Sequence, residues 1–114
     1  MAVLEVPPLP ALPSAAAAAF HREVLARAVA LLDDGAQCLS LMFSPADHTH
    51  RGWRLAAVQA LAREHAPARV NAVAGGGTNA QAAALDYLEA AAGVTGQYLA
   101  LDDAGAGPVV LAAE

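Results

Sequence analysis

Apolar residues fall along the chain in short uninterrupted runs, separated by longer segments in which they return every third or fourth position. The runs read as strands and the longer segments as helices. Residues 37–43 form a continuous apolar run, the pattern of a strand buried on both faces of a parallel sheet, and residues 69–74 form the next. Residues 1–6 and 97–101 are shorter strand candidates, and residues 108–112 suggest a terminal one. Pro7, Pro8, Pro10 and Pro13 hold an extended linker without backbone donors. Ser14 is placed to cap a helix over residues 14–32, with Phe20, Val24, Ala28 and Leu31 on one stripe. Asp34-Gly35 ends it. A second helix spans residues 47–66, stopped by Pro67, with Trp53, Ala57 and Ala60 on one side and Leu55, Val58 and Leu61 on another. Thr78 and Gln81 have capping-box spacing and open a third helix over residues 78–92, anchored by Leu85 and Leu88 and closed by Gly93.

Strand–helix–strand repeated three times predicts right-handed crossovers within one domain covering residues 1–114. The fold class expected is α/β, a three-layer α/β/α arrangement with a mostly parallel sheet of four or five strands. The chain has 114 residues, of which 57% are hydrophobic and 15% charged, enough apolar material for a core. Its 32 alanines and lack of isoleucine point to codon bias as well as helix, so the larger apolar residues and caps carry more weight. Six arginines face eleven acidic residues for a formal charge of −5, which argues against nucleic acid or an anionic membrane as partner. No lysine is present, which excludes Schiff-base and Walker-type chemistry. The single cysteine, Cys38, reads as a small core residue. No signal or membrane segment is evident, and a cytoplasmic location is expected.

Two stretches carry a family resemblance. Leu61-Ala62-Arg63-Glu64-His65-Ala66-Pro67, followed by Arg69-Val70-Asn71-Ala72-Val73, resembles the segment of short-chain dehydrogenases that follows their catalytic tyrosine. Val94-Thr95-Gly96-Gln97 and then Leu101-Asp102 resemble a late motif of the same enzymes. The resemblance covers roughly residues 20–103. It implies the C-terminal half of that family's Rossmann fold, in a short form similar to that of some short-chain-dehydrogenase-like proteins of proteobacteria. Carried onto this chain, the family's tyrosine falls on Asp47 and its lysine on Arg51, while Ser44 stands where the family places its serine. The glycine-rich dinucleotide loop has no counterpart. The expectation is therefore a protein without dehydrogenase activity, with no catalytic residues and no cofactor.

Two polar clusters remain as candidate ligand sites at the sheet's C-terminal edge, where parallel α/β folds bind ligands. One comprises Ser44, Asp47, His48, His50 and Arg51, able to hold a small polar molecule. Its plainer reading has Asp47 capping the helix and pairing with Arg51, with the histidines in solvent. A metal site at Asp47 and the histidines is disfavoured by their spacing, and none is expected. The other comprises Gly75, Gly76, Gly77 and Thr78, where free amides precede a helix and can receive an anion. Glycines serving a tight turn are the plainer account. With the strand at residues 2–6 at a sheet edge, and Phe20, Val24, Leu31 and Trp53 on helices that pair in the enzymes, a homodimer or homotetramer is expected, or association with a protein partner. A small-ligand- or nucleotide-binding role at the two clusters is the alternative.

Overall fold

The structure is a computed structural model and describes residues 1–102. Its elements are β1 (Ala2–Glu5), α1 (Pro13–Glu23), α2 (Leu25–Asp33), β2 (Cys38–Phe43), a 3-10 turn (His48–His50), α3 (Arg51–Glu64), β3 (Arg69–Gly75), α4 (Thr78–Ala90) and β4 (Tyr98–Leu101). The strands form one sheet in the order β1-β2-β3-β4, all parallel. The expected α/β class and parallel sheet are observed, with four strands; the suggested strand at 108–112 lies outside the described residues.

Side-chain alternation along the strands divides the core in two. On one face Leu4, Leu41 and Ala72 lie in register with Tyr98, and Phe20, Val24, Ala28, Val58 and Leu61 of α1–α3 cover them. On the other, Val73 packs with Ala84 and Leu88 of α4. The strand order advances in one direction while α4 crosses on the face opposite α1–α3. The β3–α4–β4 crossover therefore has the opposite hand to the first two, where the sequence predicted three alike. The parity of Val73, Leu99 and Leu101, all apolar on the second face, is what draws α4 there.

Three local expectations are corrected. The helix expected over residues 14–32 is interrupted at Val24, whose φ is −110°. A four-residue spacing drifts about 40° per step around a helix, so an unbroken helix would turn Leu32 away from the face held by Phe20. The interruption keeps Phe20, Val24, Ala28 and Leu32 all buried. Second, Ser14 is no cap: Leu12 occupies the N-cap position with Pro13 following, a residue suited to the first helical position because its missing N–H would find no partner there. Third, Thr78 and Gln81 form no capping box. Gly77 is the N-cap of α4, and the Gln81 side-chain amide donates instead to the carbonyls of Gly75 and Gly76 at 3.0 and 3.2 Å.

The two stretches that carry the sequence resemblance are bonded to each other. Asn71, fully buried, donates to the Val94 carbonyl and accepts from the Gln97 N–H, each at 3.0 Å. Thr95 Oγ1 accepts from the Val70 N–H at 3.0 Å, and the Gly96 N–H reaches the Val70 carbonyl at 2.7 Å. Arg69 donates to the carbonyls of Leu88, Glu89 and Ala91, placing a cation on the carbonyls at the end of α4, where the helix dipole favours it. Asn71→Ala leaves the part-buried Val94 carbonyl and Gln97 N–H without their partner. We expect it to cost about 2–3 kcal/mol and to lower the thermal midpoint by roughly 10 °C or more, measured by calorimetry.

Candidate functional site

The chain after β2 turns at Pro45 and enters the 3-10 turn through Asp47, which does cap it. The Asp47 carboxylate accepts from the Thr49 N–H at 2.9 Å and from the Thr49 hydroxyl. Those two bonds, the hydroxyl's first, hold the carboxyl below the ordinary aspartate value, with small contributions from His48 and His50. The expected Asp47–Arg51 pair does not form: Asp47 is turned back onto Thr49, and the Arg51 guanidinium lies over the Tyr98 ring at 5.7 Å from its centre. His48 is exposed as expected. His50 is not. It is 8% exposed, with Nδ1 accepting from Trp53 Nε1 at 3.0 Å and Nε2 3.0 Å from the Ala11 carbonyl. Because the indole N–H can only donate, His50 carries its proton on Nε2 and donates it to Ala11. Both ring nitrogens are thus taken up in tying the proline linker to α3.

The second cluster is built for close packing. Gly75 and Gly76 have φ of 72° and 76°, a region that side chains rarely enter. A Cβ on Gly76 would lie 2.8 Å from Leu101 Cβ, and one on Gly75 would lie 3.6 Å from Pro45. With Gln81 bonded to both carbonyls, the gap between the two loops is occupied by the protein's own groups. This gap lies where consecutive connections leave for opposite faces of the sheet, the usual ligand crevice of such folds. The two candidate clusters meet at Pro45 and Gly75.

A cavity does open one strand over, at the C-terminal ends of β1 and β2, with a volume of about 260 Å³. Residues 6–11 and 43–47 line it with His50 and Arg54. Ser44, Asp47 and His50 of the predicted residues reach it; His48, Arg51 and residues 75–78 do not. Arg54 is the residue the sequence reading missed. It is 5% exposed, and its Nη1 donates to the Ser44 carbonyl at 2.9 Å and to the Tyr98 hydroxyl at 3.0 Å. Its guanidinium sits 4.5 Å from the centre of the Phe43 ring. The signal was present in the spacing: Arg54, Ala57, Val58 and Leu61 lie at i, i+3, i+4 and i+7, so a cation occupies the buried stripe of α3. Phe20, Phe43, Trp53 and Tyr98, four of the five aromatic residues, gather around it. Cys38 is buried, as expected of a core residue. No group of three metal-ligating side chains exists among the described residues, and no helix there is long and apolar enough to cross a membrane.

The Asp47 cap has a definite pH signature. A carboxyl whose folded value is depressed contributes stability above its unfolded value and loses that contribution as the pH falls through the folded one. The stability difference between wild type and Asp47→Ala is expected to be constant above about pH 5 and to vanish on acidification, read from urea unfolding across pH. His50→Ala releases the Trp53 indole and the Ala11 carbonyl together. Its expected result is a red-shifted tryptophan emission in the folded protein.

No curated protein and no solved structure matches the chain. The family model described as short chain dehydrogenase-like protein matches residues 4–101, from the middle of β1 to the end of β4. Its span takes in the aromatic cluster, the Asn71 network and the loops of both candidate clusters, and the chain belongs to this short-chain-dehydrogenase-like family.

Proposed function

We propose that the chain corresponds to the C-terminal half of a short-chain dehydrogenase fold and acts without dehydrogenase chemistry, through association with a second copy or with a protein partner. The observation that carries this reading is the use made of Asp47 and Arg51, the positions on which the resemblance puts the family's tyrosine and lysine. Asp47 is spent on Thr49 and held ionised at neutral pH, whereas the proton donor of such chemistry must arrive protonated. Arg51 lies against the Tyr98 ring, and a guanidinium is a permanent cation that cannot act as a lysine does in a proton relay.

Association has its own support in β1. The strand pairs with β2 on one side only, and among the described residues its other side has no partner. The Val6 N–H reaches the Met42 carbonyl. By the alternation of the strand, the N–H groups of Leu4 and Val6 point inward and those of Val3 and Glu5 outward. Val3 is 43% exposed. An apolar edge with free donors is a template for pairing with another chain. Of the helical residues expected to mediate assembly, Phe20 and Val24 are fully buried within the fold, and Trp53 is packed against Phe20 and Phe43. A homodimer through β1, or a tetramer built from it, is the assembly we propose.

Two measurements test the reading. Light scattering on the purified protein at micromolar concentration is expected to give a mass of two or four chains. Val3→Pro, which removes an outward N–H and leaves the β1–β2 ladder intact, is expected to give a monomer of nearly unchanged thermal stability. A wild-type monomer counts against assembly with itself. Thermal unfolding with NAD, NADH, NADP or NADPH is expected to show no shift. A ligand at about a hundred times its dissociation constant adds roughly 2.7 kcal/mol, so a clear shift would replace this reading with a nucleotide-binding one.

A further inference from the structure

The outer edge of β1 offers a short and closely defined set of groups. Because the Val6 N–H donates to the Met42 carbonyl, alternation turns the N–H and C=O of Leu4 toward β2 and those of Val3 and Glu5 away from it. Both outward residues are exposed. The outward row stops at either end. Pro7, the next residue of the same parity, has no N–H. Met1 lies outside β1, with its ammonium 3.6 Å from the Glu89 carboxylate and its sulfur accepting from the Ser40 hydroxyl at 3.4 Å. Within the strand, the edge therefore carries the N–H donors of Val3 and Glu5 and the carbonyls of the same two residues. The side chains divide by face. Ala2, Leu4 and Val6 join the core under α1–α3, and Val3 and Glu5 stand on the other face.

We propose that β1 pairs antiparallel with β1 of a second copy in the register that sets Val3 opposite Glu5 of that copy, with a two-fold axis at Leu4 and the two sheets joined into one. The proposal rests on assembly through β1 and adds its register. Opposed residues whose groups face one another exchange both of their N–H···O bonds. With Val3 opposite Glu5, every outward group of both strands is used and four bonds form. With Glu5 opposite Glu5, two form between strand residues, like charges lie directly opposite, which is destabilising, and the Val3 carbonyl meets Pro7, which has no donor. With Val3 opposite Val3, two form between strand residues, and any more depend on Met1, which Glu89 and Ser40 engage. The proposed register also completes an apolar seam on the α1–α3 face. Leu4 meets Leu4 at the close, non-hydrogen-bonded position, and Ala2 meets Val6 on either side. On the other face the two Glu5 side chains lie diagonally, each beside a Val3, and remain in water. The edge is thus complementary to itself and closes about the axis, whereas addition of β1 to the far edge of another copy's sheet would repeat without end.

The test uses two full-chain variants, Val3→Cys and Glu5→Cys, each retaining the buried Cys38. Directly opposed residues of the hydrogen-bonded kind have Cα atoms about 5.5 Å apart, within the roughly 4.4–6.8 Å that a disulfide spans. Diagonal neighbours lie about 7–8 Å apart, beyond its reach. Oxidation of an equimolar mixture of the two variants is expected to give a covalent dimer, and oxidation of either variant alone, or of wild type, to give none. A covalent dimer from Val3→Cys alone, or from Glu5→Cys alone, overturns the register and leaves assembly through β1 in place. Amide hydrogen exchange on the wild-type dimer decides the matter without any substitution. The Val3 and Glu5 N–H groups are expected to be protected together in the dimer and to exchange freely after dilution to the monomer. A dimer in which either N–H is unprotected overturns the register. A wild-type monomer by light scattering overturns the register and self-assembly together.

Discussion

The arrangement around Arg54 governs the half of the molecule that faces α1–α3. One guanidinium joins the end of β2 through the Ser44 carbonyl, β4 through the Tyr98 hydroxyl, and the Phe43 ring through its face. Each donor that is met and the stacking of its plane offset part of the cost of burying a charge in that position. That offset explains why the aromatic residues crowd here and not elsewhere in the core. Trp53, beside it on α3, packs against Phe20 and Phe43 and donates to His50, which holds the linker at Ala11. The path of the proline-rich segment over the C-terminal ends of the strands thus traces back to one buried cation and the rings that accept it.

The opposite face is held differently. There, among the described residues, α4 is the helix over Val73 and its neighbours, and polar bonds do much of the fastening. Asn71 clamps the segment before β4, and Arg69 closes the end of α4. The motif residues therefore have full structural occupations. Asn71, Thr95, Gly96 and Gln97 set the register of β3 and β4 with no reference to a substrate. A family likeness carried by residues that hold the fold does not by itself extend an activity.

The strands were legible because burial on two faces leaves an apolar run that no helix pattern imitates, as in residues 37–43. The caps were less so. Ser14 and Thr78 have the right chemistry for an N-cap, but Pro13 sets the backbone for the first helical turn one residue earlier, and Gly77 takes the cap position ahead of Thr78. Gln81 found carbonyls freed by the glycine turn and bonded those. The interruption at Val24 follows from tertiary demand, the need to turn four residues toward one sheet, and no local residue announces it. Asp47 as a cap was legible, since its partners lie two residues away. His50 was not, because Ala11 stands 39 positions earlier in the chain. Arg54 could have been found from its place on the apolar stripe, but single-residue polarity draws attention to loops and away from helix interiors.

That oversight bears on where a binding function would reside in such a fold. The crevice between the loops after β2 and β3 is the obvious place by topology, and on its β3 side Gln81 takes up the carbonyls of the glycine turn. The neighbouring space at the ends of β1 and β2 remains open, and the prolines that line it carry no side-chain acceptor for a guanidinium. Ligand chemistry follows unmet hydrogen-bonding capacity more closely than it follows the density of polar residues. His48 and Arg51 are polar and answered by water or an aromatic face. Arg54 is enclosed and held in orientation by Ser44, Tyr98 and the Phe43 ring, while its buried Nε has no acceptor.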